Sequence, residues 1–190
     1  LLSAHAEADD ARLRRAAWRA FGGVAEHGGK LLTRNACAAM ATRMAAALQA
    51  PTARYSAQVE ASEAAALALG KMLVHRAASL DGASILPLWL GWLPLRRSEE
   101  DDARAAMGCL CTLLEADAAA VLGADGAAFP AVLGALAAAY ESDGAGEAVS
   151  QRIKSLVGGW SASNQALLES GAAALPQPHL RAKIGRMAAV

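Results

Sequence analysis

The amino-acid sequence predicts an all-α protein of packed helix pairs, and three observations carry that expectation. The chain has 190 residues, 55% hydrophobic but only 4% aromatic. Alanine supplies much of the apolar content, so helices can approach closely while β-propensity stays weak. Apolar residues recur at helical spacing between Gly, Pro and Asp-Gly breaks along the whole length. The third observation is the uncharged run over residues 85–95, Ile-Leu-Pro-Leu-Trp-Leu-Gly-Trp-Leu-Pro-Leu, which holds two of the four tryptophans. Ile85, Leu88, Trp89 and Trp92 would share one helical face, with Leu86, Leu90 and Leu93 opposite. The run therefore reads as an inner helix, buried all round, that organises the rest. Pro87 is placed in its first turn and Pro94 at its end. It is too short to cross a bilayer, which needs about twenty residues.

In chain order, Asp9 or Asp10 is the expected N-cap of a first helix over residues 10–22. Its buried face is Leu13, Ala17, Ala20 and Phe21, and Gly22-Gly23 and Gly28-Gly29 end it. A second helix over 31–48 aligns Leu32, Ala36, Met40, Met44 and Leu48 and stops at Ala50-Pro51-Thr52. These two are expected to form a hairpin. The third helix covers 59–76, its apolar line running through Ala65, Leu69, Met72 and Leu73, and Asp81-Gly82 turns the chain into the 85–95 run. Ser98-Glu-Glu-Asp-Asp102 opens a helix reaching Glu115, and Asp125-Gly126 and Phe129-Pro130 lead into another ending near Tyr140. Asp143-Gly-Ala-Gly146 precedes a helix containing Ile153, Leu156 and Val157. Shorter helical pieces around Leu167 and Leu180 finish the chain.

Lys+Arg and Asp+Glu number 18 each, for a formal net charge of zero. No global field therefore recruits nucleic acid or an anionic membrane. Cys37, Cys109 and Cys111 are an odd number in a long chain, which predicts reduced thiols rather than a disulfide framework. No charged segment followed by an apolar run opens the chain, and no Asn-x-Ser/Thr acceptor occurs. The chain opens at Leu1 rather than methionine, as expected of a piece of something longer. Gly-x-Ser-x-Gly, Gly-x-x-x-x-Gly-Lys and complete dinucleotide motifs are missing. Cys109 and Cys111 point about 200° apart around a helix and cannot readily share a metal. His5, His27, His75 and His179 are isolated and read as surface or helix-end residues. Asp81-Gly82, Asp125-Gly126 and Asp143-Gly144 lack calcium-loop ligands. No catalytic, cofactor or metal site is expected.

Phe21-Gly22, Leu69-Gly70, Met107-Gly108 and Val157-Gly158 follow one another at 48, 38 and 50 residues. The spacings scatter around the period of HEAT repeats, about 40 to 47 residues, in which helix pairs stack into a solenoid. Asp10, Leu13, Arg14, Ala17, Ala20 and Phe21 resemble the HEAT pattern of Asp, an aliphatic-Arg pair, small residues and a large apolar one. In that family the Asp and Arg form a ladder between repeats, which makes Asp10 and Arg14 repeat-structural residues. The expected fold is an armadillo-type, right-handed α-α superhelix of about four helix pairs, with units near 1–50, 51–95, 96–141 and 142–190.

Four stretches extend the likeness: Leu13-Arg-Arg-Ala-Ala-Trp-Arg-Ala-Phe-Gly with Ala25-Glu-His-Gly-Gly29; Leu69-Gly-Lys-Met72; the 85–95 run with the acidic residues after it; and Leu110-Cys-Thr-Leu-Leu-Glu115 through Val121-Leu-Gly123 to Phe129-Pro130. Together they resemble the C-terminal HEAT repeats of the importin-β (karyopherin-β) family of nuclear import receptors, in particular its beta-three type. Residues 176–187 are similar to the final helix of such receptors. The resemblance implies a receptor that shuttles between cytoplasm and nucleus through contacts with nuclear pore proteins. It also implies carriage of basic cargo such as ribosomal proteins or histones, and its release to GTP-bound Ran. Ran-GTP would bind N-terminal repeats that this chain does not contain. Neither membrane insertion nor direct nucleic-acid binding is implied. The alternative is a HEAT-repeat scaffold for a non-transport complex; a cysteine-dependent enzyme on a helical scaffold is a third class.

Candidate partner-binding residues are Trp89, Trp92, Glu99, Glu100, Asp101 and Asp102. The tryptophans could stack on the arginine or lysine stems of a cargo; the other reading is inter-helix core. The four carboxylates could clamp basic cargo, or could complement the dipole of the helix they open. Arg12, Arg15 and Arg19 form a basic stripe without interleaved aromatics and read as solvated surface. Leu1, Leu13 and Trp18 are expected to be exposed, where a preceding repeat would have covered them.

Overall fold

The computed structural model describes residues 2–29, 32–123 and 125–189 of the chain. Within them the fold is all-helical, with no strand among the described residues. The helices are α1 (Leu2–His5), α2 (Ala11–His27), α3 (Arg34–Gln49), α4 (Val59–His75), α5 (Gly82–Leu90), α6 (Glu100–Leu122), α7 (Phe129–Ala139), α8 (Gly146–Ser163), α9 (Gln165–Ala173) and α10 (Pro178–Ala188), with a 3-10 turn at Ala77–Ser79. The chain divides into two compact units, Leu1–Cys109 and Leu110–Val190, the division falling within α6.

The first unit is built on α4 rather than on the 85–95 run. Its residues from Ala61 to Gly70 are buried without interruption. α2 runs along one side of it, and α3 and α5 also pack on it. Hydropathy alone underrates this helix, because Ala61, Ala64, Ala65, Ala66 and Ala68 each carry little apolar area, yet they let neighbouring helices approach closely. Gly22 of α2 sits where a Cβ would lie 3.3 Å from the Ala68 Cα. α2 accordingly has α4, not α3, as its main neighbour, so the expected α2–α3 hairpin is not its closest packing. Gly22 and Gly23 do not end α2, which continues to His27.

The uncharged run differs from expectation in length and burial. α5 starts at Gly82, which puts Pro87 in the helix interior rather than its first turn, and ends at Leu90, before Trp92 and Pro94. Only Ile85, Trp89 and Leu90 of the helix are buried, while Leu86 and Leu88 are half-buried and Pro87 is exposed. A nine-residue helix with one face on its neighbours leaves its other face to solvent. The expected start of α3 at Leu31 lies outside the described residues. The helix begins after Thr33, whose hydroxyl accepts from Ala36 N at 3.2 Å. Its buried line uses Cys37 in place of Ala36.

α6 breaks at Asp117, where φ −157° and ψ 86° leave helical geometry. The Asp117 carboxylate accepts from Ala120 N at 3.0 Å and so caps the turn that follows. The break falls two residues past the expected end at Glu115. In the second unit α7 buries Phe129, Val132, Leu133, Ala135, Leu136, Ala137 and Ala139 and packs on α9 and α10, which also receive α8. Phe129 meets Trp160 edge-on, with centroids 5.1 Å apart. Phe129 also lies against Gly171, where a Cβ would approach its ring to 2.6 Å.

Candidate partner-binding surface

Neither tryptophan of the 85–95 run offers a face to a partner. Trp89 is 0% exposed, and its indole N–H donates to the Ala66 carbonyl of α4 at 2.9 Å. Its ring fills the space left by Gly70, where a Cβ would come within 2.8 Å of Cζ2. Trp92 is 5% exposed and covered by the Arg54 guanidinium, 4.1 Å from its ring centroid. Arg54 is itself held by a hydrogen bond to the Gly91 carbonyl at 2.8 Å. The cation stacked on Trp92 thus belongs to this chain. Both residues take the core reading, which corrects their place among the partner-binding candidates.

Part of the acidic run pairs with part of the basic stripe expected to be solvated surface. Arg15 reaches Glu99 at 2.6 Å and Glu60 at 3.2 Å. Arg19 reaches Glu99 at 3.4 Å and Asp102 at 3.3 Å. Asp101 pairs within its own helix with Arg104 at 2.6 Å. Glu100 is exposed. Asp102 is buried, and its Oδ2 has no hydrogen-bond partner among the described residues. Part of the run's charge, on Glu99 and Asp102, is therefore answered by α2, some 80 residues away in sequence, while Glu99, Glu100 and Asp101 remain exposed.

The residue that positions this region is Glu63, which composition and spacing did not single out. It lies on the buried face of α4, 4% exposed. Its carboxylate accepts from the backbone N–H groups of Arg96 at 2.8 Å, Arg97 at 2.8 Å and Ser98 at 2.6 Å. Three donors that no helix serves are satisfied by one buried charge, which ties the segment before α6 to α4. The sequence signal is one of two glutamates in an alanine-rich helix, and it looks the same as the exposed Glu60 beside it.

Asp10 is the N-cap of α2, accepting from Arg12 N at 2.7 Å and Leu13 N at 3.4 Å. Arg14 does not pair with an aspartate. It donates to the carbonyls of Ala8 and Asp9 and to the side-chain oxygen of Gln58. Gln58 is the N-cap of α4 and gives that helix no side-chain cap. Between the start of α2, the end of α3 and the start of α4 lies an open cleft of about 390 Å³ bordered by Arg14, Trp18, Gln58 and Ser62. A smaller hollow of about 160 Å³ lies beside Trp18, Gly22, Lys71 and Asp102. Leu13 is 40% exposed and Ala20 is exposed, so neither joins the buried face of α2 that the spacing predicts, while Trp18, expected to be exposed, is only 2% exposed and packs against Phe21. Leu1 lies outside the described residues.

Cys37, Cys109 and Cys111 are all buried. Among the described residues no group of three His, Cys, Asp or Glu side chains is placed to hold a metal ion. His5, His27 and His75 are the last residues of α1, α2 and α4, and His179 is near the start of α10. α6 is long and apolar enough to cross a membrane by length and composition. Its backbone break at Asp117 and the ion pair of its Glu115 with Arg152 at 2.6 Å are costly in hydrocarbon. Ala106, Met107, Leu110 and Leu114 are buried within the protein, which fits a core helix. No protein-family model matches the chain.

Proposed function

We propose that the chain is a stretch of HEAT-repeat solenoid from an importin-β family nuclear import receptor. Such a receptor carries basic protein cargo, a ribosomal protein or histone, and gives it up to GTP-bound Ran while shuttling between cytoplasm and nucleus. The observation that carries the reading is the link made by Arg14. Asp10 and Gln58 are the N-caps of α2 and α4, 48 residues apart (58 − 10), and Arg14 spans from the first helix to the cap of the second. A rung between successive repeats would run the same way, with an amide here where the resemblance leads one to expect an aspartate. The Phe21-Gly22, Leu69-Gly70, Met107-Gly108 and Val157-Gly158 pairs also fall on α2, α4, α6 and α8, the first helix of each proposed pair. Such a protein works by surface, with the curvature of stacked repeats coupling cargo affinity to Ran bound elsewhere.

The test is retention of the longest native chain containing these residues on an immobilised ribosomal protein, with and without GTP-bound Ran. Release by Ran-GTP supports the import reading. Retention indifferent to Ran-GTP favours a non-transport scaffold. One observation already leans toward that second reading: Arg15 and Arg19 neutralise acidic residues that basic cargo would need.

A further inference from the structure

The hollow of about 160 Å³ between α2, α4 and the first turn of α6 has a half-served carboxylate in its wall, that of Asp102. Asp102 is 7% exposed, and its Oδ2 has no hydrogen-bond partner among the described residues. A buried acceptor left unserved costs stability and calls for an explanation. The two cations on the same wall do not supply one. Arg19 lies 3.3 Å from the other oxygen, Oδ1, and also faces Glu99, while Lys71 is spent on Glu26 at 2.7 Å. The ion pairs around the hollow also leave a charge over. Arg15 and Arg19 face Glu60, Glu99 and Asp102, which is two cations to three carboxylates, and Lys71 with Glu26 is balanced. Space for an occupant is kept by Gly22, where a Cβ would come within 3.3 Å of the Ala68 Cα and of the Lys71 Cδ.

We propose that this hollow binds a primary ammonium ion carried on a short aliphatic stem. An ammonium has donors and no acceptor, so it supplies both the hydrogen bond that Oδ2 lacks and the charge that the ion pairs leave unanswered. The last bond of an aspartate turns over a broad range, which lets the carboxylate present a free lone pair to the hollow. A single water would serve the oxygen but leave the charge unanswered and most of the space empty, since its share of liquid volume is about 30 Å³. On the same scale the hollow has room for about five non-hydrogen atoms, four carbons and a nitrogen, and a guanidinium on its stem is larger. Trp18, Leu67 and Ala68 give that stem an apolar wall. The same ion ends a partner protein's lysine side chain and a free alkylamine, and either source offers this chemistry. The inference does not rest on the transport reading, since neither Ran nor cargo carriage enters it.

The experiment titrates the nitrogen-labelled chain with n-butylammonium, with acetyl-lysine-methylamide and with 1-butanol, following the indole N–H resonance of Trp18, which lines the hollow. That signal is assigned by its loss in Trp18→Phe. The expected result is a saturable shift with an ammonium, at least about tenfold tighter than with the alcohol of the same stem. A response to both ammonium probes assigns the hollow to a lysine side chain, and a response to butylammonium alone assigns it to a free amine. Asp102→Asn keeps the shape and removes the charge, and should abolish the shift. Should that variant fail to fold, the comparison of ammonium with alcohol in the native chain decides alone. Equal response to ammonium and alcohol, no response to either ammonium, or undiminished binding by folded Asp102→Asn overturns the proposal.

Discussion

Replacing Glu63 by Gln tests whether one buried carboxylate holds the segment before α6. In the native protein Oε1 accepts from Arg96 N, and Oε2 accepts from both Arg97 N and Ser98 N. Gln has nearly the same shape, but an NH2 group replaces one oxygen. With the amide oriented to keep one acceptor, at least one backbone N–H faces another donor, and the surviving bonds lose their charge assistance. A buried donor left unsatisfied costs about 1 to 3 kcal/mol, and the weakened bonds add to that. The expected total is about 2 to 4 kcal/mol, or amide protection at residues 96–98 reduced about 30- to 1,000-fold. Native-state hydrogen exchange reads this locally, which matters in a chain of two units where a single global melt is ambiguous. Unchanged exchange at Arg96, Arg97 and Ser98 in the Gln variant would falsify the reasoning.

Three further outcomes follow from the same geometry. Gly70→Ala drives a methyl into the Trp89 ring and should destabilise the first unit by about 1 to 3 kcal/mol in urea titration; a neutral effect would mean that Trp89 moves aside freely. Trp92→Ala removes a buried indole and should cost about 3 to 5 kcal/mol. A near-silent denaturation curve would show that the ring is dispensable. Lys71 holds the Glu26 carboxyl below its ordinary value of 4.5, by a hydrogen bond first and by its charge after burial has partly opposed it. Arg152 does the same for Glu115, again with the hydrogen bond as the largest cause. A carboxyl lowered in the folded state adds stability that is complete above its unfolded value and lost as pH falls through the folded one. Stability should therefore decline as pH drops below about 4.5, less steeply in Lys71→Met; an identical acid slope in that variant would contradict the pairing.

Local features were legible from the sequence wherever one residue decides a local geometry. Asp10 before a helical pattern is an N-cap whatever lies around it, since its side chain serves donors two and three residues on. α4 was readable almost to the residue, because Val59 to His75 holds no Gly-Pro break and its apolar positions keep helical phase. The rank of the elements was not readable. Leucines and tryptophans weigh heavily in hydropathy, so the 85–95 run looked central, while the alanines of α4 looked ordinary. Which helix is innermost depends on how closely its neighbours approach, and Gly22 against Ala68 and Gly70 against Trp89 decide that only after packing.

The candidate surface shows the same division more sharply. Glu99 and Arg15 are 84 residues apart, and nothing in a linear pattern distinguishes a carboxylate facing water from one facing a guanidinium on another helix. Burial of Glu63 and the spent stacking face of Trp92 are likewise properties of the assembled unit. By itself the sequence determined the all-helical class, the caps and breaks, and the small residues that allow close packing, because these are set by bonds within a turn or two of the chain. Only the tertiary structure decided which charges are neutralised, which aromatic faces are taken and which backbone donors a buried carboxylate serves, because those depend on distances across helices far apart in sequence.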